Sequence, residues 1–317
     1  MSNSASGECI LEGEAAKRET FRRGLRDHGP LDLKAHPPKK REGGVLSLAK
    51  SPVVTMAPTT PVYDAIKIMV KEGFRRMPVA EPATKRLLGI FTATDIVDFL
   101  GGGKKFELVQ RKYDGNFFKA INEPIKSVMT QDVVYVYTTS AIGQALEIMK
   151  NHKIGGLPVV DQDKRVRAIL TERDMVSFFA GIISGVKVVN VMSLKLVTAT
   201  PNMSIYEAEK TMVEKGFRRL PIVVNGKVVG MATARTILRF FGTGEVFKHL
   251  RSGTMAQVLQ TSILEAATKD VHMVSPDADV GEAAEIMRQK NVGSVLVAKD
   301  EKLVGIVTER DFFKLIV

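Results

Sequence analysis

The sequence repeats one pattern that could do chemistry, a threonine followed three residues later by an aspartate. Three copies are intact: Thr92 with Asp95, Thr171 with Asp174, and Thr308 with Asp311. An aspartate carboxylate only accepts hydrogen bonds, so it can take both donors of a vicinal diol such as that of ribose. A threonine beside the free N–H groups of a helix N-terminus suits an anion such as phosphate. The pattern therefore indicates ligand binding and supplies no catalytic group.

A fourth copy, Thr233 with Thr236, has lost the carboxylate. Because Thr236 cannot accept a diol in the same way, we expect its site to be empty or altered, which leaves at most three competent sites. The alternative for every copy is a plain helix N-cap, since threonine and aspartate are both favoured at that position. Three intact copies favour at least one functional site over this alternative.

Two arginine pairs form a second repeated feature, Arg75-Arg76 and Arg218-Arg219, each followed by an apolar residue and a proline. The planar guanidinium fork matches the geometry of phosphate oxygens. Both pairs are therefore chemically suited to contact phosphate. Surface solvation, a salt bridge and contact with RNA phosphates stay open as alternatives.

The elements that must position these residues recur with them. Each copy of the pattern follows a short apolar run and precedes a helical apolar pattern, so it lies where a strand ends and a helix begins. The order strand, helix, strand, strand, helix occurs four times, which indicates a repeat architecture. We place the four repeats at about residues 51–105, 125–182, 190–242 and 265–317.

The repeats also pair at a second level. Phe-Arg-Arg-apolar-Pro occurs in repeats one and three, whereas a Gly-Gly or Gly-Ser version occurs in repeats two and four. This alternation indicates that a two-repeat unit was duplicated. We expect pair one at residues 51–185 and pair two at 186–317, in agreement with about two domains for a chain of 317 residues.

These features together resemble the cystathionine β-synthase (CBS) domain family, in which two copies make a Bateman module. The resemblance covers about residues 53–317. It implies an α+β fold in which four CBS repeats form two Bateman modules in a flattened disc, preceded by an extended basic N-terminal tail. It further implies that an adenine nucleotide (AMP, ADP or ATP) binds in clefts between paired repeats.

The resemblance also implies a role for each matching residue. The ribose would be bound by Asp95, Asp174 and Asp311. The phosphate would be contacted by Thr92, Thr171 and Thr308 together with Arg75, Arg76, Arg218 and Arg219. The adenine would lie against the apolar-proline strands, at Pro78, Val79, Pro158, Val159, Pro221 and Ile222.

The charge balance favours a polyanionic partner. The chain has 46 Lys and Arg against 35 Asp and Glu, a net charge of +11, and charge of this kind governs association more than fold. Residues 1–50 lack apolar periodicity, which predicts a mobile basic tail. The predicted RNA contacts are its basic residues, Lys17, Arg18, Arg22, Arg23, Arg26, Lys39, Lys40 and Arg41. A solvated tail, and a merely lysine-rich protein, are the alternatives.

Little in the sequence favours catalysis, a metal or a membrane. The five histidines show no metal-ligand or nucleophile–base spacing, and Gly101-Gly102-Gly103-Lys104 departs from the spacing of a phosphate-binding loop. We therefore predict no enzyme and no metal site. One cysteine, Cys9, and a polar N-terminus without an apolar leader favour the cytoplasm and no membrane segment.

Two functions are compatible with these observations. The first is a nucleotide-binding regulatory protein that docks on RNA or a ribosomal surface through its tail and discs, linking energy state to translation. The alternative is an energy-sensing regulatory subunit that binds a protein partner, similar to the nucleotide-binding subunit of AMP-activated kinases. DNA binding is weaker, because no helix-turn-helix or zinc motif is present.

Overall fold

Helices and short strands alternate through the chain, which confirms the predicted α+β class. The computed structural model describes residues 44–315. The predicted RNA contacts Lys17, Arg18, Arg22, Arg23, Arg26, Lys39, Lys40 and Arg41 lie outside the described residues.

Each repeat consists of a helix, an antiparallel hairpin and a second helix. Repeat one contains α1 (Val62–Glu72), β1 (Arg76–Ala80), β2 (Leu87–Thr92) and α2 (Ala93–Val97), which continues as a π-helical turn at Asp98–Gly102. Two helices, α3 (Phe106–Tyr113) and α4 (Phe117–Ile121), lead to repeat two. Repeat two contains β3 (Val136–Tyr137), α5 (Ile142–Asn151), β4 (Gly156–Val160), β5 (Val166–Thr171) and α6 (Glu172–Phe179).

Repeats three and four follow the same plan. Repeat three contains α7 (Ile205–Lys215), β6 (Arg219–Val224), β7 (Lys227–Thr233) and α8 (Ala234–Gly242). A 3-10 turn at Glu245–His249 and helix α9 (Met255–Leu259) lead to repeat four. Repeat four contains β8 (Met273–Val274), α10 (Val280–Gln289), β9 (Ser294–Lys299), β10 (Lys302–Thr308) and a final 3-10 helix at Glu309–Leu315.

The first helix of each repeat is set by its apolar spacing. In α1 the residues Val62, Ala65, Ile66 and Met69 are buried on one face, at the spacing of an amphipathic helix. Gly73 ends the helix with a left-handed φ of 68°, a conformation that glycine adopts without strain.

Hairpin register places the motif residues opposite one another. Arg76 pairs with Thr92 in repeat one, and Arg219 pairs with Thr233 in repeat three. The arginine pair at the start of one strand therefore lies beside the threonine at the end of the next.

The predicted first strand differs between repeats. It pairs in parallel as β3 and β8 in repeats two and four, but is reduced to a single bridge in repeats one and three. Thr138 extends the ladder in repeat two by donating its N–H to Val160. Pro58, Pro201 and Pro276 occupy the equivalent positions and have no N–H to donate. Repeat four extends its ladder in the other direction, because Leu296 replaces the strand proline and donates its N–H to the His272 carbonyl. Repeats one and three have a proline at both positions, which leaves a single bridge.

The short segment that precedes each repeat, which we call its entry segment, joins the repeats in pairs. Thr130 bridges to Ile90, and residue 50 bridges to Ile169, within pair one. Equivalent bridges at Ser193 and Thr268 join repeats three and four. Residues 44–50, which the sequence prediction includes in the tail, are in contact with repeat two, where the side chain of Val45 is fully buried.

Helices of pair one pack against helices of pair two. The largest hydrophobic core contains Ile66 and Phe99 of repeat one together with Ile237 and Phe241 of repeat three. A second core joins repeats two and four, for example through Val176 and Phe312. Repeat one therefore faces repeat three, and repeat two faces repeat four.

Candidate functional site

The three intact threonine–aspartate pairs all cap helices. One carboxylate oxygen, Oδ2, accepts from the threonine N–H at 2.8 Å in each of the pairs at Asp95, Asp174 and Asp311. The threonine hydroxyl donates to the same oxygen at 2.6–2.8 Å. The N-cap alternative is therefore realised, and it occupies one of the two carboxylate oxygens.

The second oxygen, Oδ1, faces the paired repeat. Oδ1 of Asp95 accepts from Lys105 and, at 3.2 Å, from the Thr130 hydroxyl of repeat two. Oδ1 of Asp311 has the Ser193 hydroxyl of repeat three at 3.3 Å. A diol that binds either carboxylate must replace contacts of this kind.

Each second oxygen also has a lysine close by, but from a different place in each repeat. Lys314 lies 2.8 Å from Asp311 on the same helical turn, and Lys50 of the entry segment lies 3.7 Å from Asp174. Burial raises the pKa of Asp174, and the hydrogen bonds from Thr171 oppose that rise.

Thr236 preserves the helix cap but lacks the second carboxylate oxygen that the three aspartates have. The N–H of Thr233 donates to the Thr236 hydroxyl at 2.9 Å, and that hydroxyl donates in turn to the Thr233 carbonyl at 3.0 Å. The helix start is thus preserved with a hydroxyl in place of a carboxylate. No carboxylate oxygen is left to face the cleft.

The apolar-proline strands lie inside the core. Val79, Val159 and Ile222 are fully buried, and the prolines before them are buried as well: Pro78, Pro158 and Pro221. Neighbouring residues of a strand point to opposite faces, so the prolines lie on the face away from these core side chains.

The arginine pairs converge with charged residues of repeats two and four. We call this set the arginine cluster: Arg75, Arg76, Arg173, Arg218, Arg219, Arg235 and Arg310 with Glu172 and Glu309. Both glutamates are 1% exposed. Seven guanidinium groups face two carboxylates, so the cluster carries an excess of positive charge.

Every ion pair of the cluster crosses from one pair of repeats to the other. Glu309 accepts from Arg75 at 2.6 Å and from Arg173 at 3.1 Å. Glu172 accepts from Arg218 at 3.2 Å and from Arg310 at 3.0 Å. The salt-bridge alternative is therefore realised for Arg75 and Arg218.

Arg76 and Arg219 instead bind backbone within their own pair. Arg76 donates to the Gly155 carbonyl, and Arg219 donates to the Gly293 carbonyl at 2.9 Å. Burial and then the neighbouring Arg75 lower the pKa of Arg76 to about 10. Burial and then Arg218 lower the pKa of Arg219 to about 9, so an anion at this point would relieve a crowded positive charge.

The charge state of Glu309 follows from its partners. Burial opposes ionisation, but the pKa falls to about 2 because Arg75, Arg173 and Arg219 stabilise the carboxylate. Two atoms of the cluster, Nη2 of Arg173 and Oε2 of Glu309, are buried without a hydrogen-bond partner. Such atoms commonly contact a ligand or water in the functional state.

A cavity of about 700 Å³ opens onto the cluster, within the range of small-molecule sites. We describe two arms of the cavity and number each after the first repeat that lines it. Arm one lies between repeats one and two and is lined by Ile90, Thr92, Thr130 and residues 132–134. Arm three lies between repeats three and four and is lined by Met231, Thr233, Thr236, Thr268 and residues 270–272. Eight arginines and two lysines line the whole cavity against three aspartates.

The cavity brings together part of the predicted site. It is lined by Thr92, Arg75, Arg76, Arg218 and Arg219. Its lining does not include the remaining predicted phosphate and ribose contacts, Thr171, Thr308, Asp95, Asp174 and Asp311.

Four central residues were missed by the sequence reasoning, namely Glu172, Arg173, Glu309 and Arg310. Their signal was present, because the Thr-Glu-Arg-Asp sequence is identical in repeats two and four. Within residues 44–315 no group of three His, Cys, Asp or Glu is placed to hold a metal ion. No helix in this part of the chain is long and apolar enough to cross a bilayer.

The CBS domain model matches four times, at residues 45–102, 125–181, 188–242 and 263–317. The chain belongs to the CBS domain family. These four CBS repeats coincide with the repeated helix, hairpin and helix of the structure, which confirms the predicted four-repeat fold.

Two relatives span most of this CBS protein. MJ1225 of Methanocaldococcus jannaschii is 31% identical over 83% of this chain and 94% of its own length. A protein of Thermofilum pendens, named for its place in a ribosomal RNA operon, is 33% identical over 84% of this chain and 89% of its own. Both are described as uncharacterized.

Two solved structures are similar to this chain over most of its length. The crystal structure of MJ1225, described as a proposed archaeal homologue of γ-AMPK, has a TM-score of 0.82 at 30% identity, covering 87% of this chain and all of that one. A Pyrococcus horikoshii protein has a TM-score of 0.56 at 19% identity, covering 87% of this chain and all of its own, and shows the fold alone.

Proposed function

We propose that this CBS protein is a non-enzymatic regulatory protein that binds adenine nucleotides in clefts between paired repeats. The observation that carries the proposal is the cavity, in which arm one leads from Thr92 and Thr130, which both donate to Asp95, to the arginine cluster. A nucleoside monophosphate needs a diol acceptor at one end and cations at the other. The cations line the cavity, and the carboxylate of Asp95 is hydrogen-bonded to Thr92 and Thr130 of the same lining.

The ribose would bind the second oxygen of Asp95. That oxygen is occupied by Lys105 and Thr130 in this structure, so binding releases Lys105 toward the phosphate. The phosphate would then reach Arg76 and Thr92, which are paired by the hairpin register. We rank the Asp95 site above those of Asp174 and Asp311, because Thr92 lines the cavity and Thr171 and Thr308 do not.

Regulation would act through the contact between pair one (51–185) and pair two (186–317). The arginines that face the cavity also hold the glutamates of the opposite pair. A bound phosphate competes with those glutamates, so occupancy alters how the two pairs are held together. A protein partner that reads this change agrees with the description of MJ1225 as a proposed γ-AMPK homologue.

Docking on RNA or a ribosomal surface is the second candidate. Its support is the charge distribution, because residues 1–52 hold ten basic against seven acidic residues and the rest of the chain still carries +8. Phosphate contacts of such a surface would make binding strongly salt-dependent.

The nucleotide proposal is tested by calorimetric titration of the full chain with AMP, ADP and ATP. Asp95→Asn keeps an acceptor for the helix cap and removes the charge, so we expect a loss of about tenfold or more, or ~1.4 kcal/mol. Asp64→Asn is the matched control, since Asp64 is half exposed and paired with Lys67 on the surface of α1. Absence of nucleotide binding in the wild type, or affinities unchanged in Asp95→Asn, Asp174→Asn and Asp311→Asn alike, would refute the proposal.

The partner is tested by affinity purification with RNA and protein identified in parallel, with and without AMP and ATP. A partner that survives nuclease and high salt supports the regulatory-subunit function. Recovery that is lost with either treatment supports RNA or ribosome docking.

A further inference from the structure

We propose that arm three of the cavity is an anion site, which holds the distal phosphates of a nucleoside oligophosphate whose nucleoside lies in arm one. This inference rests on the proposed nucleotide function and names its ligand class. Arm three would therefore bind phosphate in place of a second nucleoside.

The two arms differ in charge at equivalent positions. Helices α2 and α8 begin at matching residues of repeats one and three, so their side chains can be compared one by one. Arg235 stands where repeat one has Thr94, and Arg239 stands where it has Asp98. With the exchange of Asp95 for Thr236, repeat one has a carboxylate at two positions at which repeat three is neutral or basic. At the third position, Thr94 is neutral where Arg235 is basic.

A histidine adds a donor to arm three. His272 lines the cavity, and its side chain is 15% exposed. Its Nε2 is buried without a hydrogen-bond partner, and the nearest carboxylate oxygen, of the exposed Asp270, lies 3.5 Å away. The equivalent residues of the other repeats are valines: Val54, Val134 and Val197. An anion in arm three would give this nitrogen a partner.

The arginine cluster connects the two arms. The cavity that contains Thr92 is also lined by Arg76, Arg173, Arg235 and Arg239, and Nη2 of Arg173 is buried without a hydrogen-bond partner. Arg235 is held in place by the Asn291 carbonyl at 2.9 Å. Burial and then Arg173 lower the pKa of Arg235, which again reflects a crowded positive charge that phosphate would relieve.

The ligand preference follows from this path. Each added phosphate reaches further cations, and hydrogen bonds between charged groups are the stronger ones. We expect affinity to rise from AMP to ATP to adenosine tetraphosphate, by about tenfold or more over the series. Inorganic tripolyphosphate should bind without any nucleoside.

The experiment is calorimetric titration of the full chain with AMP, ATP, adenosine tetraphosphate and inorganic tripolyphosphate. The variants are Arg239→Gln, at an exposed side chain, and His272→Val, which installs the residue of the other three repeats. Both should weaken ATP and tripolyphosphate about tenfold and leave AMP within about twofold. Arg111→Gln is the control, because Arg111 is 81% exposed and paired with Glu107 away from the cavity lining. Thermal melts establish that each variant is folded.

Equal affinities for AMP and ATP in the wild type would overturn the proposal. An equal loss of affinity for AMP and for ATP in Arg239→Gln would also overturn it. Binding of a second AMP molecule that is abolished in Arg239→Gln would overturn it too, because arm three would then bind a nucleoside. If AMP does not bind while tripolyphosphate binds in an Arg239-dependent way, the nucleotide function fails and the anion site in arm three stands.

Discussion

Arg75 of repeat one donates to Glu309 of repeat four at a distance of 2.6 Å. Its counterpart Arg218, in repeat three, donates to Glu172 of repeat two. The two contacts are related by the duplication of the repeat pair, and each crosses from one pair to the other. At the centre of the molecule, equivalent residues of the two pairs therefore form reciprocal ion pairs.

Replacing Glu309 should destabilise the protein strongly. Glu309→Gln leaves the part-buried Arg75 and Arg173 without a compensating charge, and loss of one partner of a buried ion pair costs about 3–5 kcal/mol. We expect a decrease of that size in the free energy of unfolding, measured by denaturant titration. Glu301→Gln, at a surface pair with Lys227 in which Glu301 is 80% exposed, should change it by less than about 0.5 kcal/mol. Similar values for both variants would contradict this assignment.

The contribution of Glu309 should depend on pH in one direction. Its pKa falls from an ordinary value of 4.5 to about 2 in the folded protein. A lowered acid pKa stabilises the fold above the unfolded value, and this stabilisation is lost as the pH falls toward the folded value. The difference in unfolding free energy between wild type and Glu309→Gln should therefore shrink between pH 5 and pH 2. A difference that stays constant over that range would show that Glu309 is not ionised in the folded state.

Glu209 should destabilise the fold, because both of its carboxylate oxygens are buried without a hydrogen-bond partner. Repeat one has Ile66 at the equivalent position of α1, where it faces Gly242 as Glu209 faces Gly101. Glu209→Ile should therefore raise the unfolding free energy by about 1–3 kcal/mol, the cost of an unsatisfied buried polar group.

The pH dependence of Glu209 has the opposite sign to that of Glu309. Burial raises its pKa well above 4.5, so the wild type loses stability as the pH rises above the unfolded value. The gain from Glu209→Ile should grow from pH 5 to pH 8 in denaturant titrations. Glu214→Gln, on the same helix at a 57% exposed side chain, is the control. A gain that does not change with pH would mean that the group does not titrate with unfolding.

Two glycines at equivalent helix positions should respond oppositely to alanine. Gly143 is the second residue of α5, and a Cβ there meets no atom within 4 Å. Gly143→Ala should stabilise the protein by up to about 1 kcal/mol through helix propensity. Gly281 is the second residue of α10, and its Cβ would lie 1.7 Å from the Ile182 carbonyl oxygen. Gly281→Ala should lower the melting temperature, and a rise in both variants would contradict the packing described.

Repetition made the fold predictable. Val62, Ala65, Ile66 and Met69 specify a helix by their spacing, and Gly73 ends it. The same information returns in each repeat, so local ambiguity in one copy is resolved by the others. The first strand of repeats one and three is shorter than predicted although its apolar run is intact, because Pro58 and Pro201 prevent a hydrogen bond on one side of the bridge and Pro78 and Pro221 prevent one on the other.

The candidate site was less accessible to sequence reasoning. Lys50, Lys105 and Lys314 approach the three aspartates from an entry segment, a loop and a helix, so they share no repeat position. Glu172 and Glu309 resemble ordinary charged residues at a helix start, where acidic side chains are favoured. Only the packing of repeat two against repeat four brings them to the centre.

The two carboxylate oxygens of each aspartate have different roles, and this difference has a consequence for how such proteins diverge. One oxygen caps the helix start, and the Thr236 hydroxyl makes the same cap in repeat three. A single substitution can therefore remove the second carboxylate oxygen of a repeat while the helix start is kept. Under the proposed function, each tandem cleft can change its ligand independently of the others, because the helix start that holds its architecture does not depend on the carboxylate.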